Sequence, residues 1–143
     1  MRIVVDTNIL FSYFWEKSIT KKIINLQSFE FYTPSFAFQE IKKYKKEIIL
    51  KTKITEKEYL KIILELKKRI IIINEKEYFS KIKNITHIPD VNDIDFIALS
   101  NHLDKVLWSN DKKLKEQNYT LVLNTEEILK IMFKLNIQIR LVF

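Results

Sequence analysis

MRIVVDTNIL, residues 1–10, carries the first decision about the fold. Ile3, Val4 and Val5 form a short apolar, β-branched run that stops abruptly at Asp6-Thr7-Asn8. Such a run predicts a strand buried on both faces, as in a parallel sheet covered by helices. Asp6 then stands at the strand's C-terminal end, the edge where open α/β sheets bind their ligands. Taken alone, Asp6 also reads as the N-cap of the helix that follows.

Working outward, a helix is expected over residues 9–27, with an interruption possible at 15–18. A strand at 29–33 is stopped by Pro34, and a helix at 35–50 follows. The capping box Thr55-Glu56-Lys57-Glu58 opens a helix running to about residue 69. Residues 70–73, four isoleucines, end that helix or form a third strand; β-branching favours the strand. A short helix at 75–85, a loop at Pro89-Asp90, a helix at 92–103 and strands at 106–109 and 119–123 come next. A second capping box, Asn124 to Glu127, starts a helix to about residue 134, and the apolar tail 137–143 suits an edge strand or an oligomer contact. Alternating strands and helices without linker or repeat predict one domain over residues 1–143. Its fold class is a three-layer α/β/α sandwich around a mostly parallel sheet of about five strands.

Composition narrows the chemistry. The chain has 143 residues, no glycine, no cysteine and two histidines. Without glycine there is no phosphate-cradling P-loop, no dinucleotide-binding turn and no nucleophile elbow. Without cysteine there are no disulfides, thiolate zinc sites or cysteine nucleophiles. His87 and His102 cannot make a His-rich metal site and are read as surface or core residues. Carboxylates remain as the main catalytic groups. No apolar run is long enough to span a membrane and no signal peptide is visible, so a cytoplasmic protein is expected.

The net charge of +7 is unevenly spread. Residues 41–83 hold fourteen basic and six acidic residues, whereas 84–111 hold one basic and five acidic. A cationic body suits a polyanion, and an acidic cluster within it suits a bound cation. Lys42, Lys43, Lys45 and Lys46 are either a solvated helix face or a track for a phosphate backbone.

Four acids stand out. Asp111 follows the strand at 106–109, as Asp6 follows the first, and it too could be a helix cap, with Ser109 and Asn110 competing for that position. On a helical wheel of about 100° per residue, Glu40 falls inside the arc of Phe36, Ala37, Ile41, Tyr44 and Ile48, opposite the lysines. A carboxylate there needs a partner such as a cation, or must snorkel out from the boundary. In Asp90-Val91-Asn92-Asp93-Ile94-Asp95, Asp93 borders the stripe of Phe96, Ile97 and Ser100. Asp95 faces the other flank, and Asp90 precedes the helix as a possible N-cap. Trp15 and Trp108 are read as core residues rather than stacking platforms.

With these residues in place, the chain resembles the PIN-domain ribonucleases, especially the small prokaryotic VapC-type toxins. VVDTNIL is similar to their opening strand and first acid, with Thr7 and Asn8 as its polar companions. Glu40 in PSFAFQEI matches a helical glutamate, and DVNDIDFIALS matches a third acid, best placed at Asp93. VLWSNDKKL resembles a strand followed by an S/T-N-D motif, giving Ser109, Asn110 and Asp111. Ser100 stands where relatives often have alanine.

The resemblance implies an endoribonuclease dependent on one or two Mg2+ or Mn2+ ions, cutting RNA to a 5′-phosphate and a 3′-hydroxyl. Asp6, Asp93 and Asp111 would be metal ligands and Glu40 a ligand or the orienter of water. Thr7, Asn8, Asp90, Asp95, Ser109 and Asn110 would position acids, waters or phosphate. It further implies a toxin with a cognate antitoxin partner, and a homodimer. A housekeeping RNA-processing nuclease and a catalytically silent RNA-binding module are the alternatives on the same fold. Two carboxylates about 4 Å apart repel by roughly 4 kcal/mol at an effective dielectric near 20. Oxygen-only donors that must be brought together therefore favour a hard divalent cation.

Overall fold

A computed structural model of the chain describes residues 1–88 and 90–135. Five strands, β1 (Arg2–Val5), β2 (Glu30–Pro34), β3 (Ile70–Ile73), β4 (Val106–Trp108) and β5 (Val122–Leu123), form one sheet in the order β3-β2-β1-β4-β5. Every neighbouring pair is parallel. The helices are α1 (Thr7–Ser12), α2 (Ile19–Ile24), α3 (Ser35–Lys43), α4 (Lys45–Thr52), α5 (Glu56–Arg69), α6 (Glu75–Ile82), α7 (Ile94–Leu103) and α8 (Thr125–Lys134). Helices flank the sheet as an α/β/α sandwich. The tail at 137–143 and Pro89 lie outside the described residues.

Central β1 explains its apolar run: Ile3, Val4 and Val5 are fully buried, as are Leu107 and Trp108 on β4. Trp108 packs against Phe31 at 6.0 Å between ring centroids and donates its indole N–H to Thr125 Oγ1 at 3.0 Å. Each such large apolar side chain contributes about 1.5–3 kcal/mol through burial. The chain winds outward from β1 through β2 to β3, then α6 and α7 carry it back to β4 on the other side of β1. The strand order therefore reverses between β1 and β4, and reversal opens a crevice at the C-terminal ends of those two strands. Thr33 Oγ1 donates to the Val5 carbonyl at 2.8 Å, tying the end of β1 to β2 where Pro34 has no N–H to offer.

Several elements depart from the periodicity. The interruption expected within 9–27 falls at 13–18, between α1 and α2, but its turn leaves Trp15 42% exposed rather than in the core. The single helix expected at 35–50 bends at Tyr44 (φ −98°, ψ 15°). The bend seats Tyr44 edge-on against Phe11 at 6.0 Å. A 3-10 turn, Val91–Asp93, precedes α7, and α6 stops at Ile82. The strand expected at 119–123 shrinks to Val122–Leu123. Gln117 Oε1 accepts the N–H groups of Tyr119 and Thr120, so this backbone is satisfied by a side chain instead of the sheet. Having no glycine, the chain ends α4 and α7 with Lys53 and Asp104 in the left-handed region, at φ 58° and 53°. For a residue bearing a Cβ that conformation costs about 1–2 kcal/mol.

Candidate active site

The acids gather at the β1–β4 crevice. Asp6 continues β1, its N–H donating to the Trp108 carbonyl at 3.2 Å, and its side chain turns down to cap α1 by accepting the Ile9 N–H at 2.9 Å. The cap and the site position are thus one geometry. Ser109 is buried beside it, its hydroxyl lowering the pKa of the Asp6 carboxyl and accepting the Asp111 N–H at 3.1 Å. A single hydroxyl links the two strand-end acids. Asp111 also caps the following 3-10 turn, Lys112–Glu116, through the Lys113 N–H.

Glu40 arrives from α3. Its Oε1 accepts the buried Thr7 hydroxyl at 2.6 Å, so the partner demanded by its place on the wheel is, in the folded chain, a threonine of α1. Asp93 arrives from the start of α7, half-buried and without a cap hydrogen bond of its own. Burial is the largest influence on both Asp6 and Asp93, pushing each carboxyl from 3.8 up to about 6. The next largest influences on Asp6 are hydrogen bonds from Ser109 and Ile9, which lower it, and then the charges of Asp111 and Glu40, which raise it further. Asp93 feels Asp90, Asp111, Asp6 and Glu40, all raising it. Glu40 is also shifted upward, first by burial. Four acids from four segments therefore share one electrostatic neighbourhood. Among the described residues no lysine or arginine forms an ion pair with any of them.

A cavity of about 580 Å3 opens on the Asp93 and Asp111 side of the group, lined by Asp90, Asp93, Asp111, His87, Lys113 and Gln117 among others. His87 is an addition that spacing did not reveal: it sits in the left-handed region at φ 62°, beside the crevice rather than in the core. Asp90 caps the 3-10 turn through the Asn92 N–H at 2.9 Å and stays exposed at the rim.

Other residues singled out from the sequence are engaged elsewhere. Asp95 Oδ2 accepts the hydroxyl of buried Tyr78 at 2.7 Å, which ties α7 to α6. Asn110 Oδ1 accepts the N–H and hydroxyl of Thr125 at 2.9 and 3.0 Å, anchoring the loop to α8. Asn8 is exposed and lines a second groove on the Glu40 side. Lys45 is paired with Glu56 and lies over the Tyr59 ring, whereas Lys42, Lys43 and Lys46 are exposed.

The donor set fits a hard cation. It is all carboxylate oxygen, and it is a set of like charges that burial and mutual repulsion leave uncompensated. Among the described residues no three acid or imidazole groups converge tightly enough to cage an ion unaided. Mg2+ requires no such cage, because one or two carboxylates hold it while water and substrate fill the remaining positions.

A family model described as PIN domain matches residues 4–138. The fold is similar to that in a crystal structure of VapBC2 from Rickettsia felis bound to a DNA fragment from their promoter. The match has a TM-score of 0.62 and 16% identity, over 87% of this chain and 98% of that one. No curated protein matches the chain in sequence. The family model spans the crevice and all four of its acids, and the chain belongs to the PIN-domain family.

Proposed function

We propose that the chain is a metal-dependent endoribonuclease, hydrolysing RNA phosphodiester bonds with Mg2+ or Mn2+, and that it is the toxin of a type II toxin–antitoxin pair. The observation that carries this reading is the convergence of Asp6, Glu40, Asp93 and Asp111 at the β1–β4 crevice, with the two most affected carboxyls held near 6. Such an arrangement is costly for the fold and useful once a cation is bound.

One or two of Asp6, Asp93 and Asp111 would hold the ion directly and the remainder through water, with Glu40 alongside. When bound, it supplies acidified water and neutralises charge on the phosphoryl group. The chain's own residues do the positioning. Ser109 keeps Asp6 and Asp111 in fixed relation, and Thr7 occupies Glu40 Oε1, leaving Oε2 to accept a proton from an attacking water. Asp90 and Asp95 add negative potential near Glu40, which favours its taking that proton. Exposed Lys42, Lys43 and Lys46 neutralise backbone phosphates outside the crevice.

The toxin reading draws on the shared fold with a VapBC2 component, and it supplies the kind of partner, an antitoxin protein. Purified chain incubated with single-stranded and structured RNA should release fragments with Mn2+ and none with EDTA or with Asp6→Asn. RNA left intact by the wild type in Mn2+ contradicts the enzyme. Growth arrest on expression, relieved by the product of a neighbouring gene, distinguishes the toxin from a processing nuclease.

A further inference from the structure

A second groove, of about 350 Å3, lies on the Glu40 side of the crevice, lined by Asn8, Phe11, Trp15, Glu40, Tyr44 and Lys51. Trp15 and Tyr44 are 42% and 37% exposed, large aromatic residues at the surface. Phe11 braces Tyr44 edge-on, and Lys43 Nζ lies 5.5 Å from the Tyr44 centroid. Neither ring is needed to fill the core, and the breaks in the helices at 13–18 and at Tyr44 are what present them.

Three features select the occupant. Glu40 belongs to both the groove and the acid group, so whatever fills the groove is continuous with whatever reacts in the crevice. Glu40 and Glu47 line the groove and repel a phosphate, while they accept hydrogen bonds from the amino groups of a neutral base. Lys43 and Lys51 stand at its margin, where phosphates flanking that base would run. We propose that this groove is a nucleotide subsite, in which one unstacked base of single-stranded RNA lies against Trp15 and Tyr44 next to the scissile phosphate. The proposal rests on the nuclease reading and names the form of its substrate, an unpaired nucleotide beside the cut. Base–aromatic stacking of this kind is sequence-tolerant, since every base has a π-face.

Trp15 is also the reporter, because the other tryptophan, Trp108, is fully buried. In the Asp6→Asn chain, titration with a short single-stranded RNA should quench tryptophan emission saturably. By anisotropy of a labelled oligonucleotide, Trp15→Ala should weaken binding about tenfold, and Trp15→Phe should restore most of it. In the cleaving wild type, Trp15→Ala should raise KM by a similar factor with kcat little changed. Unchanged affinity and KM in Trp15→Ala, with cleavage intact, overturns the subsite and leaves the nuclease standing. Quenching and Trp15-dependent binding in a chain that cuts nothing leaves the subsite standing and removes the enzyme. Emission that responds to a co-expressed partner protein but not to RNA overturns the proposal in favour of a protein-docking groove.

Discussion

Carboxylates occupy two kinds of place in this molecule. At the surface, Glu56 meets Lys45 and Glu127 meets Lys115, and each carboxyl is held below its usual range, first by the hydrogen bond from its lysine. In the crevice, Asp6, Glu40 and Asp93 are shifted the other way, first by burial and then by the charges of neighbouring acids. Among the described residues the lysines that form ion pairs, Lys45, Lys115 and Lys130, all meet acids of the first kind. The difference separates acids paired with a lysine from acids that, among the described residues, form no ion pair.

The largest expected effect comes from breaking the crevice. Asp6→Asn keeps a side chain able to cap α1 but removes the charge, and Asp93→Asn removes a charge with no capping duty. Both should lower RNA cleavage by at least about 100-fold, since even residues that only support a metal ligand cost up to that much. Both should also make the metal-free chain more stable at neutral pH in urea unfolding. The gain is on the order of 2 kcal/mol for buried Asp6 and smaller for half-exposed Asp93, where solvent screens the charge. Loss of activity together with loss of stability would remove the distinction between the two kinds of acid.

Acidity probes the same contrast. A carboxyl near 3.8 when unfolded and about 6 when folded binds its proton more tightly in the fold. Its penalty is therefore complete above about pH 6 and relieved as pH falls through 6 towards 4. The metal-free wild type should gain stability between pH 7 and 5. Asp6→Asn and Asp93→Asn should each flatten that rise, as unfolding midpoints at several pH values will show.

Asp95 sharpens the boundary, because it is near the crevice but bonded to Tyr78. Tyr78→Phe should cost about 1 kcal/mol of stability and leave the cleavage rate nearly unchanged. A large fall in rate at constant stability would move Asp95 into the catalytic group. Ser100 gives an effect of similar size and opposite sign: its hydroxyl is buried with no hydrogen-bond partner among the described residues. Ser100→Ala should raise the unfolding midpoint by an amount worth about 1 kcal/mol without affecting activity.

What could be read from the sequence was local. The apolar run before Asp6 and the strand before Ser109-Asn110-Asp111 each specify their own geometry, and parallel pairing brings their ends together. Both capping boxes formed as expected, at Thr55–Glu58 and at Asn124–Glu127. What could not be read was the pairing of distant polar atoms. Thr7 reaches Glu40 across thirty-three positions, and Tyr78 reaches Asp95 across seventeen. No periodicity encodes either contact. Trp15 was misplaced for a related reason: its hydrophobicity suits a core, but the turn between α1 and α2 carries it outward. The strand expected at 119–121 failed because one glutamine side chain competes for its backbone donors.

The response of the fold to a cation is the most direct test of the crevice. Thermal unfolding of the chelator-treated chain should be followed as Mn2+ is added, for the wild type, Asp6→Asn and Asp93→Asn. The predicted result is a wild type that starts with the lowest Tm and rises with Mn2+, while both variants start higher and stay nearly flat. A wild-type Tm indifferent to millimolar Mn2+, or variants that rise as much as the wild type, would contradict a crevice built to hold a metal.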